Sequence, residues 1–463
     1  MKTTSFGLIL TSMMVVELVS GSLQTFLSPL LETLSRTFGV TAAQLNWLSI
    51  ASLLSSAVCV SILSRLGDMY GHRRVLLWTF GIVMAGSLLV ALGRDFELLL
   101  VGVTLQGALS GFFPLLVGAL RNSGGPESRL TFGIGIMIAA LSVGTGVGAV
   151  ASGLVMEWSD NPTSALWVPA FSVAVAAAAV FFFLPETDHR PGGRVDWLGG
   201  ALLATGLVGV LLALSQEPTT TTLVYLAGGL LLLAAWAVVE LRHPEPMVNV
   251  RLFKRSRVRL VSFAAFSFAF ALFGLMVANA IFLTLPEEEF GFGFGLSPLH
   301  AAFALLPNVA MMTIGALGSP LIVRAVGPRG MLATGSALVA VGYVWTALQH
   351  DTLTQYLIGQ IVVGLGVGIL QQGASTLAVT AVSKDEAAVG SGLNELVFTV
   401  GGTVGAAVMA SVFAAHTPEG AMIPAESGFT TAWWIAAAVV ACSGVLVALL
   451  YPARPVTEAG TPA

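Results

Sequence analysis

The stretch Ser64-Arg-Leu-Gly-Asp-Met-Tyr-Gly-His-Arg-Arg-Val75 separates two long apolar segments and contains four charged residues, Arg65, Asp68, Arg73 and Arg74. Only 10% of the residues in the whole chain are charged, so this concentration of charge stands out. A short basic turn between two apolar segments is typical of a cytoplasmic connection between membrane-spanning helices. The stretch therefore predicts a membrane protein with a defined orientation.

The composition supports this interpretation. Of the 463 residues, 56% are hydrophobic, and the mean hydropathy is +0.89. A soluble domain has about 25% charged residues, far more than this chain. The 52 glycines suit closely packed membrane helices, and the net charge of −4 gives no indication of a nucleic-acid partner. Cys59 and Cys442 lie in apolar runs, so free thiols are expected.

Fourteen segments are long and apolar enough to cross a bilayer, which takes roughly 20 residues. They are predicted near 6–30, 46–65, 75–93, 97–120, 131–156, 165–184, 197–215, 222–241, 258–285, 298–323, 331–348, 354–380, 389–414 and 431–451. The first segment follows Lys2, as in a signal peptide, but it is too long for one and contains Glu17 at its middle. A retained first helix is therefore expected.

The basic residues predict the orientation, because Lys and Arg are enriched in cytoplasmic loops. With fourteen spans and the N-terminus inside, only Arg36 and Arg94 of the 20 basic residues fall on the outer side. Both termini are therefore predicted to be cytoplasmic, in a cell's inner (plasma) membrane. The basic run from Arg251 to Arg259 is interpreted as an inside-anchoring signal, with anionic lipid binding as the alternative.

An internal repeat predicts how the segments are grouped. The charged stretch after the second segment has a weak counterpart after the tenth, at Leu321-Ile-Val-Arg-Ala-Val-Gly-Pro-Arg329. Parallel halves of this kind are a common transporter construction. The predicted fold is an all-α polytopic membrane protein. Its predicted parts are an N-terminal six-helix bundle (1–190), an inserted helix pair and linker (191–245), a C-terminal six-helix bundle (246–452) and a short cytoplasmic tail (453–463).

Several motifs together carry a family resemblance. The first is the signature Gly-x-Leu-x-Asp-x-x-Gly-Arg-Lys/Arg, which Leu66, Asp68 and Gly71 match. Ser64 stands in its first place, and His72-Arg73-Arg74 form its basic end. The other motifs are Gln44-Leu-Asn-Trp47, Asp196-Trp-Leu-Gly199 and Pro246-Met-Val-Asn-Val-Arg-Leu-Phe253. This set resembles the fourteen-span, drug:proton antiporter branch of the major facilitator superfamily. The resemblance implies the major facilitator fold, with two six-helix bundles plus two inserted helices, and transport by alternating access.

Three departures from the branch concern its signature helices. The fourth segment contains Gln106 and Gly107 of Arg-x-x-Gln-Gly, but Val103 replaces the Arg that is implicated in proton handling. The first-segment signature is reduced to Glu17 and a displaced Pro29. The fifth segment matches the helix-packing antiporter signature at Gly144, Gly148 and Gly153, with Ala149 in place of its proline and Ser152 in place of a glycine.

Glu17 and Glu395 are the acidic residues that lie well inside predicted spans. A carboxylate at the bilayer centre costs about 2.5–3.5 kcal/mol on insertion scales, so it faces a bundle interior or a water-filled cavity. Both are predicted to be proton-coupling or cation-binding groups, and Glu17 is the stronger candidate because it is nearer the centre. The alternative for each is a structural carboxyl group that ties neighbouring helices together.

The resemblance also assigns a cytoplasmic gate to Asp68, Gly71, Arg73 and Arg74. In the family, the loop Asp meets the start of the helix that corresponds to 389–414 here. A helix N-terminus stabilises an anion by about 0.3–1 kcal/mol, so such a contact can hold a gate shut and still break. The alternative is a loop that only sets the topology.

In the family fold, the first and fourth helices of each half form the cavity wall. No Lys or Arg lies away from the ends of a predicted span, which disfavours small anionic substrates and favours hydrophobic neutral or cationic molecules. The predicted cavity residues are Gln24, Phe26, Gln106, Phe112, Phe113, Asn279, Gln360, Gln371 and Gln372, with Phe273 and Met276 as further apolar surface.

Together these features predict a secondary active transporter, a proton-coupled exporter of hydrophobic or cationic small molecules. The predicted partners are a small-molecule substrate, protons and membrane lipid, and a monomer is expected. The sequence has no GxxxxGK[ST] motif and no metal-spacing cluster, so no cofactor, metal or enzymatic activity is predicted. The alternatives are a facilitator or proton symporter of another small molecule, and a non-transporting membrane sensor on a transporter fold.

Overall fold

The computed structural model describes residues 6–27, 30, 34, 38–39, 42–122, 127–158, 162–186, 196–214, 220–242, 250–380, 387–418 and 423–451. Every regular element in these ranges is a helix. In chain order the α-helices are α1 (Phe6–Thr25), α2 (Ala42–Tyr70), α3 (His72–Leu92), α4 (Phe96–Gln106), α5 (Phe112–Asn122), α6 (Glu127–Trp158), α7 (Trp167–Phe183), α8 (Trp197–Leu214), α9 (Thr220–Arg242), α10 (Ser256–Thr284), α11 (Glu287–Phe290), α12 (Pro298–Leu348), α13 (Leu353–Thr380), α14 (Ala387–Ala415) and α15 (Glu426–Leu450). Short 3-10 helices occupy Gly107–Gly111, Pro162–Leu166 and Val250–Lys254.

Within the described residues, 12 helical stretches are long and apolar enough to cross a membrane. One of them, Leu299–Leu348, has 50 residues and contains Gly327, whose φ of 73° is non-helical. Gly327 adopts this conformation at little cost, and Pro328 after it cannot donate a backbone hydrogen bond, so two helices meet there at a kink. A shorter apolar helix, α8, lies outside the count of 12. The chain is thus an all-α, multi-pass membrane protein, and the count of fourteen spans stays a prediction.

The charged stretch from Ser64 to Val75 forms a shorter turn than the sequence predicts. Helix α2 continues to Tyr70 and α3 begins at His72, which leaves Gly71 as the turn. Gly71 has φ 96° and ψ 136°, a conformation that side-chain-bearing residues rarely adopt. The charged residues of the stretch therefore lie on the ends of two helices, where the helical backbone fixes their directions.

The predicted fourth span is also interrupted. Helices α4 and α5 are joined by the 3-10 helix Gly107–Gly111 within one apolar stretch, Phe96–Asn122. Ser56 Oγ of α2 donates to the Gly107 carbonyl at 3.0 Å, and Ser110 Oγ donates to the Ser56 carbonyl at 3.0 Å. These bonds tie the interruption to α2.

Helices cross at very close range in both halves. A Cβ added to glycines of α6 or α14 would overlap backbone carbonyl oxygens of α1 or α10. The contacts are Gly144 with Leu18 and Gly148 with Ser22 in the first half, and Gly401 with Phe266 and Gly405 with Phe270 in the second. Small residues permit such close approach of membrane helices. The same four-residue spacing on both sides of both crossings shows that the two halves are built alike.

The two halves meet along α2 with α14 and along α6 with α12 and α13. A Cβ on Gly392 would lie 2.7 Å from Ser64 Oγ, and a Cβ on Gly153 would lie 3.1 Å from the Leu299 Cα. At the end that carries the Gly71 turn, two polar contacts join the halves. Arg121 Nη1 donates to the Val379 carbonyl at 2.7 Å, and Gln372 Nε2 donates to the Thr131 carbonyl at 3.2 Å.

Helices α8 and α9 form a separate pair on the outside of this seam. Leu203 and Leu207 of α8 belong to a buried cluster that also contains Val60 of α2 and Leu393 of α14. In contrast, only 6% of the apolar window of α9 is buried, which leaves its surface free for lipid. The predicted boundaries at 190/191 and 245/246, and the predicted tail 453–463, lie outside the described residues.

Candidate functional site

A cavity of about 150 Å³ lies between the two halves. Its walls come from α1, α2, the α4–α5 region and α6 of the first half, and from α10, α13 and α14 of the second. The crossing of α1 and α6 fixes one wall, because a Cβ on Gly21 would overlap the Leu141 carbonyl. Glu17 lies one helical turn before Gly21, so this contact also sets its position.

Glu17 and Glu395 both line the cavity. Glu17 is 1% exposed, and its Oε1 atom has no hydrogen-bond partner within the described part of the chain. The two carboxyl groups are close enough to interact electrostatically. The lining residues that the structure describes include no Lys, Arg or His. The described lining therefore contains two acidic groups, one from each half, and no basic group to balance them.

Amide side chains provide most of the remaining polarity. Gln106 Nε2 donates to Ser87 Oγ at 3.0 Å, which orients the Gln106 side chain. Asn394 Nδ2 lies 3.5 Å from Ser375 Oγ. The Oδ1 atom of Asn394 and the Oε1 atom of Gln371 are buried without a hydrogen-bond partner among the residues described. Two amide oxygens of the cavity lining thus have no donor among the described residues.

An aromatic cluster forms the apolar wall. Phe398 of α14 lies between Phe268 and Phe273 of α10, at ring-centroid distances of 5.4 and 5.3 Å. Phe113 and Met276 extend this surface around the cavity. Such a wall can bind the apolar body of a molecule, while the acidic groups face any positive charge that it carries.

The structure divides the predicted cavity residues into two groups. Gln24, Gln106, Phe113 and Gln371 line the cavity, as do Phe273 and Met276. The others, which the described lining does not include, are Phe26, Phe112, Asn279, Gln360 and Gln372.

Residues of the second group make contacts elsewhere. The Phe112 ring lies 4.4 Å from the Phe80 ring, and Asn279 Oδ1 accepts from Trp433 Nε1 at 3.0 Å. Gln360 of α13 faces α12, with its Nε2 atom 3.5 Å from Thr346 Oγ1. These side chains join neighbouring helices, which is the other common use of polar groups in membrane bundles.

The remaining two follow the same pattern. Phe26 packs in a separate buried cluster with Leu30 and Leu34. Gln372 bonds the Thr131 carbonyl at the seam between the halves. Gln371 and Gln372 thus serve different surfaces because successive residues of a helix point about 100° apart.

Sequence reasoning missed part of the wall. Ser52 and Ser56 of α2, and Phe398 and Thr399 of α14, line the cavity, although the prediction used only the first and fourth helices of each half. The close contact of α2 with α14 brings these helices to the cavity edge. Glu395, which the sequence places inside the same segment, was the available signal for α14.

The gate candidates at the Gly71 turn have several contacts within the first half. Asp68 is 4% exposed, and its Oδ1 atom lies 3.4 Å from His72 Nε2. Arg73 Nη2 donates to the Phe181 carbonyl at 2.7 Å, and its guanidinium group lies 5.4 Å from the Phe181 ring centroid. Arg73 therefore stabilises the C-terminal end of α7, where a positive charge is favoured. Arg74 is exposed.

Asp68 also lies on the side of α2 that faces the other half. It lies one turn beyond Ser64 on α2, and Ser64 is the residue that Gly392 of α14 approaches. Asp68 therefore shares the face of α2 that meets α14, which is the face that a gate contact would use. Gly144 and Gly148 pack on α1, whereas Gly153 packs on Leu299 of the other half.

An all-helical, multi-pass membrane protein with two like halves around a central, polar-lined cavity has the architecture of a membrane transporter. A family model described as Major Facilitator Superfamily matches residues 13–406 and, in a second match, 301–463. The chain belongs to the major facilitator superfamily.

Two relatives and one solved structure illustrate the similarity. The tetracenomycin C resistance and export protein of Streptomyces glaucescens is 26% identical over 393 residues, covering 81% of this chain and 70% of that protein. The cephamycin export protein CmcT of Amycolatopsis lactamdurans is 28% identical over 449 residues, covering 92% and 87%. The crystal structure of the human organic anion transporter MFSD10 has a TM-score of 0.68 at 15% identity, covering 95% of this chain and 99% of that one. At that identity, the structure supports the shared fold alone.

Proposed function

We propose that this protein is a secondary active transporter that exports hydrophobic or cationic small molecules across the inner (plasma) membrane in exchange for protons. The observation that carries this function is the cavity between the halves, which Glu17 and Glu395 line without a described basic residue. An unpaired carboxylate is costly at membrane depth, so each acid carries a proton or lies beside a cation. Exchange between these two states couples protons to a cationic substrate.

The origin of the two acids supports alternating access. Glu17 belongs to α1 and Glu395 to α14, so a cation between them contacts both halves at once. A change in that contact alters the free energy of one arrangement of the halves relative to the other. Rocking of two halves around a fixed midplane site is a general way for a transporter to alternate its access.

The cavity surface supports the substrate class. Its aromatic wall suits an apolar body, and its acidic groups disfavour anions. Pockets that bind drug-sized ligands have volumes of about 300–1,000 Å³, more than the 150 Å³ of this cavity, so the cavity has to widen when a substrate of this size enters. The names of the relatives given above describe export of tetracenomycin C and of cephamycin, which supports the outward direction.

The topology that we propose has fourteen spans with both termini cytoplasmic. Division of Leu299–Leu348 at Gly327 and inclusion of α8 raise the 12 apolar stretches to this number. The Gly71 turn, with Arg73 and Arg74 beside it, then lies on the cytoplasmic side. Helices α8 and α9 are the inserted pair between two six-helix bundles, and lipid covers α9.

In this topology, the contacts of Arg121 with Val379 and of Gln372 with Thr131 close the cytoplasmic end. Asp68, Gly71, Arg73 and Arg74 stabilise the same end through α2, α3 and α7. The protein acts as a monomer and is not an enzyme. Its partners are its substrate, protons and lipid.

Ethidium transport into proteoliposomes that contain entrapped DNA tests this function, because ethidium is a hydrophobic cation that becomes fluorescent on DNA. With the lumen more acidic than the outside, proton efflux should drive ethidium inward and increase the fluorescence rate. Glu17→Gln should remove this acceleration. Glu426→Gln is the matched control, since Glu426 binds His350 at 2.9 Å and is not among the described residues that line the cavity.

One observation favours a second function, facilitated diffusion or proton symport. Val103, which replaces the arginine of the family signature, lines the cavity. A facilitator would move ethidium at the same rate under either direction of the pH gradient. A symporter would accumulate it when the lumen is the more alkaline side. Accumulation of ethidium in the lumen only when the lumen is the more acidic side would support export by antiport.

A further inference from the structure

We propose that Glu17, Gln371, Asn394 and Glu395, which line the cavity, bind a monovalent metal cation, with sodium as the ion. This assignment deepens the proposed function, because it names an ion for the same site and rests on that function for the role of the ion in transport. Binding itself can be measured without any transported substrate.

The first observation is a set of oxygen atoms without hydrogen-bond partners. The Oε1 atoms of Glu17 and Gln371 and the Oδ1 atom of Asn394 are all buried and unpartnered within the described residues. All three side chains line the same cavity. Glu17 is 1% exposed and Asn394 is 5% exposed, so bulk water cannot satisfy these atoms. Buried acceptors of this kind are costly unless something binds them.

The second observation is the chemistry that the set shares. Every unpartnered atom is an oxygen acceptor, and Glu395 adds a second carboxyl group within electrostatic range of Glu17. A hard metal cation is bound by carboxylate and amide oxygens and can satisfy several of them together. A molecule with acceptors of its own would leave some of these oxygens unsatisfied.

The charge of the site favours a monovalent ion. Two carboxyl groups and two neutral amides carry at most two negative charges, whereas Ca²⁺ takes about 6–8 oxygen ligands and Mg²⁺ keeps several bound waters, which this buried set of four side chains does not provide. Among the described residues, no group of three or more His, Cys, Asp and Glu is placed to bind a metal ion such as zinc, so this site depends on two carboxyl groups and neutral amide oxygens. The aromatic wall beside the site keeps the surroundings apolar, which strengthens the attraction between one cation and the Glu17–Glu395 pair.

The ligands come from three helices. Glu17 lies on α1, Gln371 on α13, and Asn394 and Glu395 on α14. Ser375 lies one turn from Gln371 on the same face of α13, and its Oγ atom is 3.5 Å from Asn394 Nδ2. A bound sodium ion would thus join α1 of the first half to α13 and α14 of the second. It would also compete with protons for Glu17 and Glu395, the titratable groups of the described lining.

Thermal unfolding of the purified full-length protein in detergent tests the site. Sodium chloride replaces choline chloride at constant ionic strength and alkaline pH, without a transport substrate. We expect a saturable rise in Tm with sodium that potassium and choline do not reproduce. Glu17→Gln and Asn394→Leu should each weaken the apparent sodium affinity at least about tenfold. Glu426→Gln should leave it unchanged.

A second variant at Asn394 distinguishes loss of the sodium site from misfolding of the protein. Asn394→Asp keeps an oxygen at the site and adds negative charge, so it should retain or strengthen the sodium effect even if Asn394→Leu does not fold. Equal rises with all three salts would overturn the assignment, as would a sodium response that persists in Glu17→Gln. A rise with methylammonium chloride and none with sodium would also overturn it, since the oxygens would then serve an ammonium group.

Ethidium transport separates this inference from the proposed function. Proton-driven ethidium transport without a sodium-dependent rise in Tm would overturn the sodium site and leave the exporter function intact. Sodium binding without ethidium transport would support the site and count against the exporter.

Discussion

Glu17 of α1 and Glu395 of α14 come from opposite halves of the chain, line one cavity and interact electrostatically. Their separate substitution therefore tests whether they act as a unit. Glu17→Gln and Glu395→Gln should each slow proton-driven ethidium transport at least about tenfold, which corresponds to about 1.4 kcal/mol. The double variant should be little slower than either single one, because residues that act together have non-additive effects. Additive losses would show that the two acids work independently.

Gly148→Ala should destabilise the first half. Its new Cβ would overlap the Ser22 carbonyl of α1, and such overpacking costs about 1–3 kcal/mol. Gly81→Ala is the matched control, because a Cβ there would contact no other helix within the described residues and alanine favours the helix by about 0.5–1 kcal/mol. Thermal unfolding in detergent should give a lower Tm for the first variant and an unchanged or higher Tm for the second. A Tm for Gly148→Ala equal to that of the wild type would contradict the close crossing of α1 and α6.

Gln372→Leu should loosen the end of the protein near the Gly71 turn. It removes the hydrogen bond to the Thr131 carbonyl, a loss of about 1 kcal/mol, and so shifts the arrangement of the halves about fivefold toward opening. Ser64→Cys, placed in a chain without Cys59 and Cys442, reports this opening because Ser64 is buried at the contact with Gly392. A membrane-impermeant maleimide should label it faster in the presence of Gln372→Leu.

The labelling experiment needs a site whose access does not change. Lys254→Cys is suitable, since Lys254 is exposed and is not one of the gate residues. It should react equally fast with and without Gln372→Leu. Equal labelling of Ser64→Cys in both backgrounds would mean that the bond between Gln372 and Thr131 does not hold the halves together.

Asn279→Leu should lower stability without changing substrate affinity. Asn279 was predicted from sequence to line the cavity, but it accepts a hydrogen bond from Trp433 Nε1 at 3.0 Å. Its replacement leaves that buried donor unpaired, at a cost of about 1–3 kcal/mol. The Tm should fall, while the ethidium concentration for half-maximal transport stays constant. Gln371→Leu should change the ethidium concentration for half-maximal transport and leave the Tm unchanged. An altered ethidium concentration for half-maximal transport in Asn279→Leu would mean that Asn279 does belong to the substrate site.

The sequence predicted much of the fold because the bilayer imposes simple rules. A span needs a long apolar run, and an acid inside such a run is rare, so the helices and the pair Glu17 and Glu395 were recognisable. The repeat after the second and tenth segments predicts two parallel halves, and this stays a prediction that the like spacing of Gly144 and Gly148 and of Gly401 and Gly405 supports.

Other features depend on details that an apolar sequence does not encode. Most faces of these helices are apolar, so the pattern does not indicate which side of a helix faces the cavity. Gln371 faces it and Gln372 does not, although they are adjacent. The pairing of Asn279 with Trp433 depends on two segments far apart in the chain. The turn at Gly71 is a single residue because α2 and α3 both extend further than hydropathy predicts.

The most direct test of the central claim is the pH inside proteoliposomes when ethidium is added outside without an imposed gradient. Exchange of ethidium for protons should make the lumen more alkaline in wild-type and Glu426→Gln vesicles. The lumen pH should stay constant in Glu17→Gln vesicles. An unchanged lumen pH during measurable ethidium entry by the wild type would contradict proton exchange, as would an alkaline shift of full size in Glu17→Gln.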